Sequence, residues 1–258
     1  MTIIEIKRSL ESKRSDGFTI SMSTINACLK ELKITVKLAH RELDRVNSTD
    51  KIILRKDYSL WFNNYFNSDY SRAVFIDESS FNLHLKRSHA RSKKGTRAII
   101  TVPTVRGRSV SLLASMTVNG MRYCKVISKT TVNAVIFSEF IREVCIHLRD
   151  ELRMENACLI LDNARIHRRE DILRITSEFN CEFHYLSPYS YMLNPIENSF
   201  SKIKNEMRSR LRTGESGSLP DLILEEARKV TAEDCSAYFR HICRNITNCA
   251  AELPYLHK

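Results

Sequence analysis

The sequence predicts an α/β protein in which a mixed sheet is flanked by helices and preceded by a small helical unit. Three observations lead there. Two short apolar runs, Ala73–Ile76 and Cys158–Leu161, each end on an aspartate, as buried central strands do. Between them Asn119-Gly120 separates two β-like runs and calls for a tight hairpin. From residue 158 onward, strand and helix patterns alternate, which places helices on the faces of a sheet. The 258 residues, 43% hydrophobic and 28% charged with 6 Gly and 5 Pro, exclude a disordered, fibrous or low-complexity chain and suit one or two domains. No apolar run reaches the roughly 18 residues of a membrane span, and the first residues lack the apolar core of a secretion signal, so an intracellular protein is expected.

The first 47 residues read as short helices forming a partial helix-turn-helix unit. Helical spacing puts Ile25, Cys28, Leu29 and Leu32 on one face and Ser23, Thr24, Asn26 and Lys30 on the other. Such a helix fits the DNA-reading member of a helix-turn-helix, and equally any amphipathic helix. Residues 48–71 read as a polar linker passing into an aromatic helix around Trp61, whose rings are expected in a core. The main domain spans 72–212. It begins with the strand at Asp77, continues with strand-like pieces near 81–86, 97–102, 109–118 and 121–127, and then a helix over 132–152. A strand ending on Asp162, a helix near 169–179, a strand at 182–186 and a helix over 195–211 complete it. Residues 213–258 are a helical extension that either packs on the core or mediates assembly. The eight cysteines have no zinc-like spacing and read as reduced core thiols.

Charge is uneven. Against 30 acids stand 41 Lys and Arg, a net charge of +11, and residues 79–138 hold 11 cations and no acid, so the remainder balances. A field focused in this way suits a polyanion, and alternatively a solvated basic face. The strip Lys86, Arg87, Arg91, Lys93, Lys94 and Arg97 is the leading DNA-contact candidate.

An acid closing a buried strand is costly to desolvate, so Asp77 and Asp162 need either a bound cation or a capping role in the turn that follows. Glu197 has two readings as well. With Asn194 as N-cap and Pro195 at the first helical position, it completes a capping box. It also heads a stripe with Ser201, Lys204 and Arg208 beside the apolar stripe Phe200, Ile203, Met207 and Leu211, as a helix would that holds a metal in its first turn and follows phosphates later. Three carboxylates without His or Cys suit Mg2+ or Mn2+ better than zinc. Two such ions about 3.5 to 4 Å apart activate the attacking oxygen and stabilise the leaving oxygen of a phosphoryl transfer. Glu78, pointing to the other side of its strand, reads as a salt-bridge partner. His167 either orients water or phosphate or is a satisfied histidine at a helix start. Asn163 is expected to position the loop of Asp162, and Asn194 to fix the helix entry.

The blocks Val74-Phe-Ile-Asp-Glu-Ser-Ser-Phe81, Leu161-Asp-Asn-Ala-Arg-Ile-His167 and Ser187-Pro-Tyr-Ser-Tyr-Met-Leu-Asn-Pro-Ile-Glu197, with 34 residues between Asp162 and Glu197, resemble the catalytic blocks of mariner-type DDE transposases and their bacterial insertion-sequence relatives. The resemblance implies a ribonuclease-H-like fold in which Asp77, Asp162 and Glu197 bind two magnesium ions. It implies nicking of transposon ends, then attack of a 3′-hydroxyl on target DNA at a TA dinucleotide, by a homodimer or larger assembly. The compartment would be the nucleus of a eukaryotic host or the cytoplasm of a bacterial one. Three features depart from the family pattern. There is room for one helix-turn-helix in place of two, Tyr191-Met192 replaces the usual Pro-Asp, and the Gly-Arg-Pro-Arg hook is missing, with Arg106-Gly-Arg108 in the catalytic half. Two other readings share the fold: a transposase-derived DNA-binding protein without catalysis, and a structure-selective nuclease that cuts without joining.

Overall fold

The computed structural model describes residues 3–13, 17–35, 46–81, 109–167, 169–213 and 217–255. The chain divides into two compact units, residues 1–43 and 44–258. In the first, α1 (Ile3–Ser12) and α2 (Met22–Glu31) pack on one another. Helix α2 starts where Ser21 accepts a hydrogen bond from the backbone N–H of Thr24, a serine N-cap. Of the face expected inside, Ile25 is buried and Leu29 half-buried, whereas Cys28 and Leu32 are exposed. Two ten-residue helices cannot cover a full apolar stripe by themselves.

The second unit is built on a five-stranded sheet of order β3-β2-β1-β4-β5. Its strands are β1 (Ala73–Phe81), β2 (Val110–Thr117), β3 (Gly120–Ile127), β4 (Cys158–Leu161) and β5 (Glu182–Tyr185). The first three form an antiparallel meander, and β4 and β5 add in parallel on the other side of β1. The hairpin falls where Asn119-Gly120 predicts it, with Gly120 at φ +134°, a conformation open to a residue without a β-carbon. The strands expected near 81–86 and 97–102 lie outside the described residues, apart from Phe81, which closes β1.

Alternation along β1 and β4 sorts the core into two layers. Ala73 and Phe75 with Cys158 and Ile160 face α3 (Thr49–Phe66), α6 (Ile196–Thr213), α7 (Leu219–Arg228) and α8 (Ala232–Ala250). Val74 and Ile76 with Leu159 and Leu161 face α4 (Ala134–Asp150) and α5 (Arg169–Glu178). Helices α7 and α8 belong to the first layer: Leu222, Ile223, Phe239, Ile242 and Ile246 are buried in it. Among the described residues no helix is long and apolar enough to cross a membrane. Cysteines 145, 158, 235 and 249 are buried thiols, and Cys28 is exposed, against the expectation of a core position.

The stretch read as a polar linker is the first half of α3. Its inward positions are Arg55, Tyr58, Ser59, Phe62 and Phe66, so a polar and a cationic residue stand where a period of apolar residues would have revealed a helix. Arg55 is fully buried and donates from Nη1 to the carbonyl of Val46 at 2.5 Å and from Nη2 to Asn47 Oδ1 at 3.1 Å. Asn47 in turn donates to the carbonyl of Tyr255 at 3.0 Å, tying the C-terminal segment to the start of α3. Substituting Met for Arg55 keeps most of the volume and leaves the buried Val46 carbonyl without its donor, worth about 1–3 kcal/mol, while Asn47 Oδ1 keeps the Tyr255 backbone N–H at 2.9 Å. Arg55→Met is expected to lower the urea midpoint by the equivalent of about 1–3 kcal/mol with an unchanged m-value, and an unshifted midpoint would contradict this role.

Candidate active site

Asp77 and Asp162 meet because of strand register. Ile76 pairs with Leu161 across the parallel β1–β4 ladder, so the two aspartates are the next residues on adjacent strands. Register partners on neighbouring parallel strands, about 4.8 Å apart, point to the same face. By alternation that face is the one covered by α6, whose buried residues Ile196, Phe200, Ile203 and Met207 lie against the same layer. The packing leaves Glu197, in the first turn of α6, turned along the sheet toward the strand ends. Asp77, Asp162 and Glu197 line one cleft of about 380 Å³, together with Asn163 and Asn194.

The alternative capping roles are settled residue by residue. Asn194 is buried, yet its side chain does not cap α6: Nδ2 donates to Asp77 Oδ2 at 2.8 Å, and Oδ1 has no hydrogen-bond partner. The capping box is therefore not formed, and Glu197 is left open to solvent at the cleft. Asp162 does hold its own turn, accepting from the backbone N–H of Ala164 at 3.1 Å. Asp77 accepts from the backbone N–H of Glu78 at 2.7 Å in addition to the Asn194 amide.

His167 braces the Asp162 carboxylate. Its side chain is completely buried, stacked on Phe137 of α4 with ring centroids 3.8 Å apart, and so has no route to a substrate. Nδ1 sits 2.7 Å from Asp162 Oδ1, while Nε2 lies 3.5 Å from Glu78 Oε2, an ion pair too long for a good hydrogen bond. Glu78 thus points to the α4 side of the sheet, opposite to Asp77, and takes the salt-bridge role expected of it. The carbonyl of His167 accepts from Tyr185 Oη at 2.8 Å, which pins the loop to β5. Asn163 is exposed on the cleft wall, and the loop is held by the Asp162 carboxylate and His167. That His167 bridges Asp162 and Glu78 was not visible in the sequence, although the five-residue step from Asp162 was available as a signal.

Lys204 is half-buried about two turns along the same stripe from Glu197, its Nζ 5.6 Å from the centre of the Phe81 ring, and Arg208 follows, donating to Asn205 Oδ1 at 2.6 Å. Both continue the stripe predicted for α6. Lys86, Arg87, Arg91, Lys93, Lys94 and Arg97 lie outside the described residues.

The electrostatics of the cleft are divided. Burial, then the nearby charges of Glu197 and Asp162, push the Asp77 carboxyl well above the usual range. Burial and Asp162 also raise Glu197, with Lys204 working against them. Burial is the largest single influence on Asp162 and opposes its charge, yet the hydrogen bond and charge of His167 together with the Ala164 N–H outweigh it and hold the carboxyl below the usual range. Burial opposes charge on His167, and Asp162 and Glu78 prevail and raise it to about 9. Among the described residues, no three His, Cys, Asp or Glu side chains stand close enough to hold one ion as they are oriented. The carboxylates are hydrogen-bonded to Asn194 and His167, so a cation must draw them inward.

A carboxyl raised in the folded state contributes stability below its unfolded pKa, near 3.8 for Asp77, and loses it as pH rises through the folded value. At pH 7, with divalent ions chelated, Asp77→Asn is therefore expected to be more stable than the natural chain by a few °C, at about 2–4 °C per kcal/mol. The gap should close toward pH 4. Thermal unfolding at the two pH values checks this, and a natural chain more stable than the variant at pH 7 would contradict the account.

A family model described as DDE superfamily endonuclease matches residues 72–219. Among solved structures, the Mos1 transposase paired-end complex with the left transposon end is similar at a TM-score of 0.77 and 17% identity, covering 100% of this chain and 80% of that one. The pre-cleavage Mos1 transpososome follows at 0.76 and 17%, with 100% and 76% covered. The mariner Mos1 paired-end complex with Mg stands at 0.77 and 18%, with the same coverage. No curated protein matches the sequence. At these identities the likeness shows the fold, which is the ribonuclease-H-like arrangement of a mixed sheet between helices. The family match covers β1 through α6, all three acids included, and on it the chain belongs to the DDE superfamily endonucleases.

Proposed function

We propose that this enzyme is a mariner-type DNA transposase that cleaves DNA at transposon ends and joins them to a target, with Asp77, Asp162 and Glu197 as its catalytic acids. The observation that carries the reading is the convergence of three carboxylates, from the ends of two adjacent strands and the first turn of a helix, on one cleft. The Mos1 structures to which the fold is similar are described as complexes with transposon-end DNA, with Mn and with Mg.

The residues fit hard divalent cations. The donor set is all carboxylate, two of its members are held above the usual range by burial and by one another, and the buried Asn194 Oδ1 has no partner. Asp77, Asp162 and Glu197 would hold Mg2+ or Mn2+, two ions in all. When bound, such ions supply Lewis-acid activation of the attacking oxygen and charge stabilisation at the leaving oxygen. The chain's own residues do the rest. Asn194 keeps Asp77 aimed at the cleft from below. His167, charged and out of reach of water, keeps Asp162 ionised and fixed in rotation. Lys204 offsets the negative potential at Glu197, and with Arg208 it offers cations along the helix for DNA phosphates. The strip Lys86, Arg87, Arg91, Lys93, Lys94 and Arg97 adds the sequence-independent attraction. Two copies of the chain would bridge the two ends, a TA dinucleotide would be the target, and the work would take place in the nucleus or the bacterial cytoplasm, wherever the host DNA lies.

A strand-transfer assay with Mg2+ tests the reading. Joined product is expected. Cleavage without joining would leave a nuclease, and salt-sensitive binding without cleavage a DNA-binding protein. Asp162→Asn and Glu197→Gln are each expected to lower cleavage by roughly 10³-fold or more, a loss of about 4 kcal/mol of transition-state stabilisation. DNA affinity should stay within about threefold, because phosphate contacts dominate it. Equal loss of binding and cleavage would contradict this division.

A further inference from the structure

Two cysteines meet in the layer on the α4 side of the sheet, opposite the acids. Cys145 is buried on α4, within the apolar cluster of Val144, Leu148, Ala157 and Ile175. Cys181 packs against that cluster, half-buried, in the turn that leads from α5 into β5. The Cys145 thiol donates a hydrogen bond to the sulfur of Cys181. The turn is held in place around this contact. The Cys181 backbone N–H donates to the carbonyl of Thr176 at 2.9 Å, its Sγ–H to the carbonyl of Phe179 at 3.6 Å, and Asn180 between them has φ +53°. From α4, Arg142 and Arg149 lie over the Phe179 ring at 5.9 and 4.9 Å from its centre, and Arg142 grips Glu178 with Nη1 at 2.5 Å and Nη2 at 3.1 Å. The two thiols are chemically unequal. The hydrogen bond from Cys145, joined by the backbone N–H of Ala157, outweighs burial and holds the Cys181 thiol below the usual range. The same bond, and then burial, push Cys145 far up, with Arg142 working against them. Burial also raises Cys124, Cys158, Cys235, Cys243 and Cys249. Cys181 is thus the thiol readied for reaction, because the thiolate is the nucleophile.

We propose that Cys145 and Cys181 form an oxidation site, a dithiol that hydrogen peroxide or another hydroperoxide converts to a disulfide joining α4 to the start of β5. In the first step the Cys181 sulfur attacks a peroxide oxygen and the O–O bond breaks. The proton given up by the Cys181 thiol leaves with the departing oxygen as water, and Cys181 becomes a sulfenic acid. In the second step the Cys145 sulfur attacks the Cys181 sulfur, the S–O bond breaks, and the Cys145 proton leaves with the hydroxyl as a second water. Two thiols and one hydrogen peroxide give one disulfide and two waters, the dithiol being oxidised and the peroxide reduced by two electrons. Sulfurs already in contact have little distance to close before the bond length of about 2.05 Å. The half-buried Cys181 is the one open to the oxidant, and the buried Cys145 resolves its sulfenic acid before further oxidation. In a reducing compartment the pair rests as thiols, and a dithiol reductant restores it after oxidation. The bridge closes a loop of roughly 35 residues and so stabilises the fold by restricting the unfolded chain. This site is independent of the chemistry at the three acids.

The test treats the full natural chain, reduced and then freed of reductant, with a small excess of hydrogen peroxide. Free thiols are blocked with iodoacetamide, and the chain is digested without reduction for mass spectrometry. The expected product is a peptide pair linked through Cys145 and Cys181, lighter by two hydrogens than the separate peptides and lost on adding dithiothreitol. Oxidation should raise Tm by roughly 5–10 °C in the natural chain and not in Cys181→Ser treated in the same way. In Cys145→Ser the sulfenic acid should persist on Cys181 and be labelled by dimedone. Cys145 and Cys181 remaining free while other cysteines are oxidised, or Cys181 passing to the sulfinic acid without a linked product, would overturn the proposal. Dimedone labelling of Cys145 in Cys181→Ser would overturn the assignment of Cys181 as the attacking thiol.

Discussion

The parallel pairing of β1 with β4 is the constraint on which the rest depends. Because Ile76 lies opposite Leu161, Asp77 and Asp162 leave the sheet side by side and on the same face. A shift of one residue on either strand would send one carboxylate to the α4 side and put a neighbouring residue in its place in the cleft. The apolar content of both strands forbids that slip, since Val74, Ile76, Leu159 and Leu161 fill one layer and Phe75, Cys158 and Ile160 the other. Hydrophobic alternation, which carries no chemistry itself, thus fixes where the charge goes. The result is a fold that concentrates like charge at the end of its central strands and is relieved by whatever neutralises it, protons or cations.

Each acid has its own device for tolerating this position. Asp77 is the most deeply buried and the most reluctant to ionise, and among the described residues the Asn194 amide is its one side-chain donor. Asp162 is kept ionised by His167, whose far nitrogen faces Glu78 on the other side of the sheet. One imidazole therefore links the two layers through the sheet end, with Phe137 of α4 as its floor. Glu197 is the most open of the three, balanced between Asp162 and Lys204. Three acids with three different environments are better suited to exchange between their present partners and a shared cation than three equivalent ones would be.

Much of this was legible in the chain. Both aspartates stood out because apolar strands ended on them, the hairpin because Asn119-Gly120 has few other uses, and α6 because Phe200, Ile203 and Met207 recur at helical spacing. What was not legible involved partners distant in sequence. Whether Glu197 capped its helix or faced a cleft depended on Asn194 being claimed by Asp77, 117 residues away. The first half of α3 escaped notice because Arg55 and Ser59 are buried in place of apolar residues, and the two Arg55 Nη atoms are paired with the segment just before the helix, which Asn47 in turn ties to Tyr255. Cys28 and Leu32 were expected inside on periodicity, which identifies a face and not the surface that covers it.

The central claim is that side chains 77, 162 and 197 converge to share hard divalent cations. Crystals of the full chain grown with Mn2+, with data collected at the manganese absorption edge, address it most directly. Anomalous density within about 2.0–2.3 Å of carboxylate oxygens from all three residues is the expected result, with the Asp77–Asn194 hydrogen bond broken or lengthened to allow it. Manganese bound elsewhere, or density touching only one of the three carboxylates while the others keep their present partners, would contradict it.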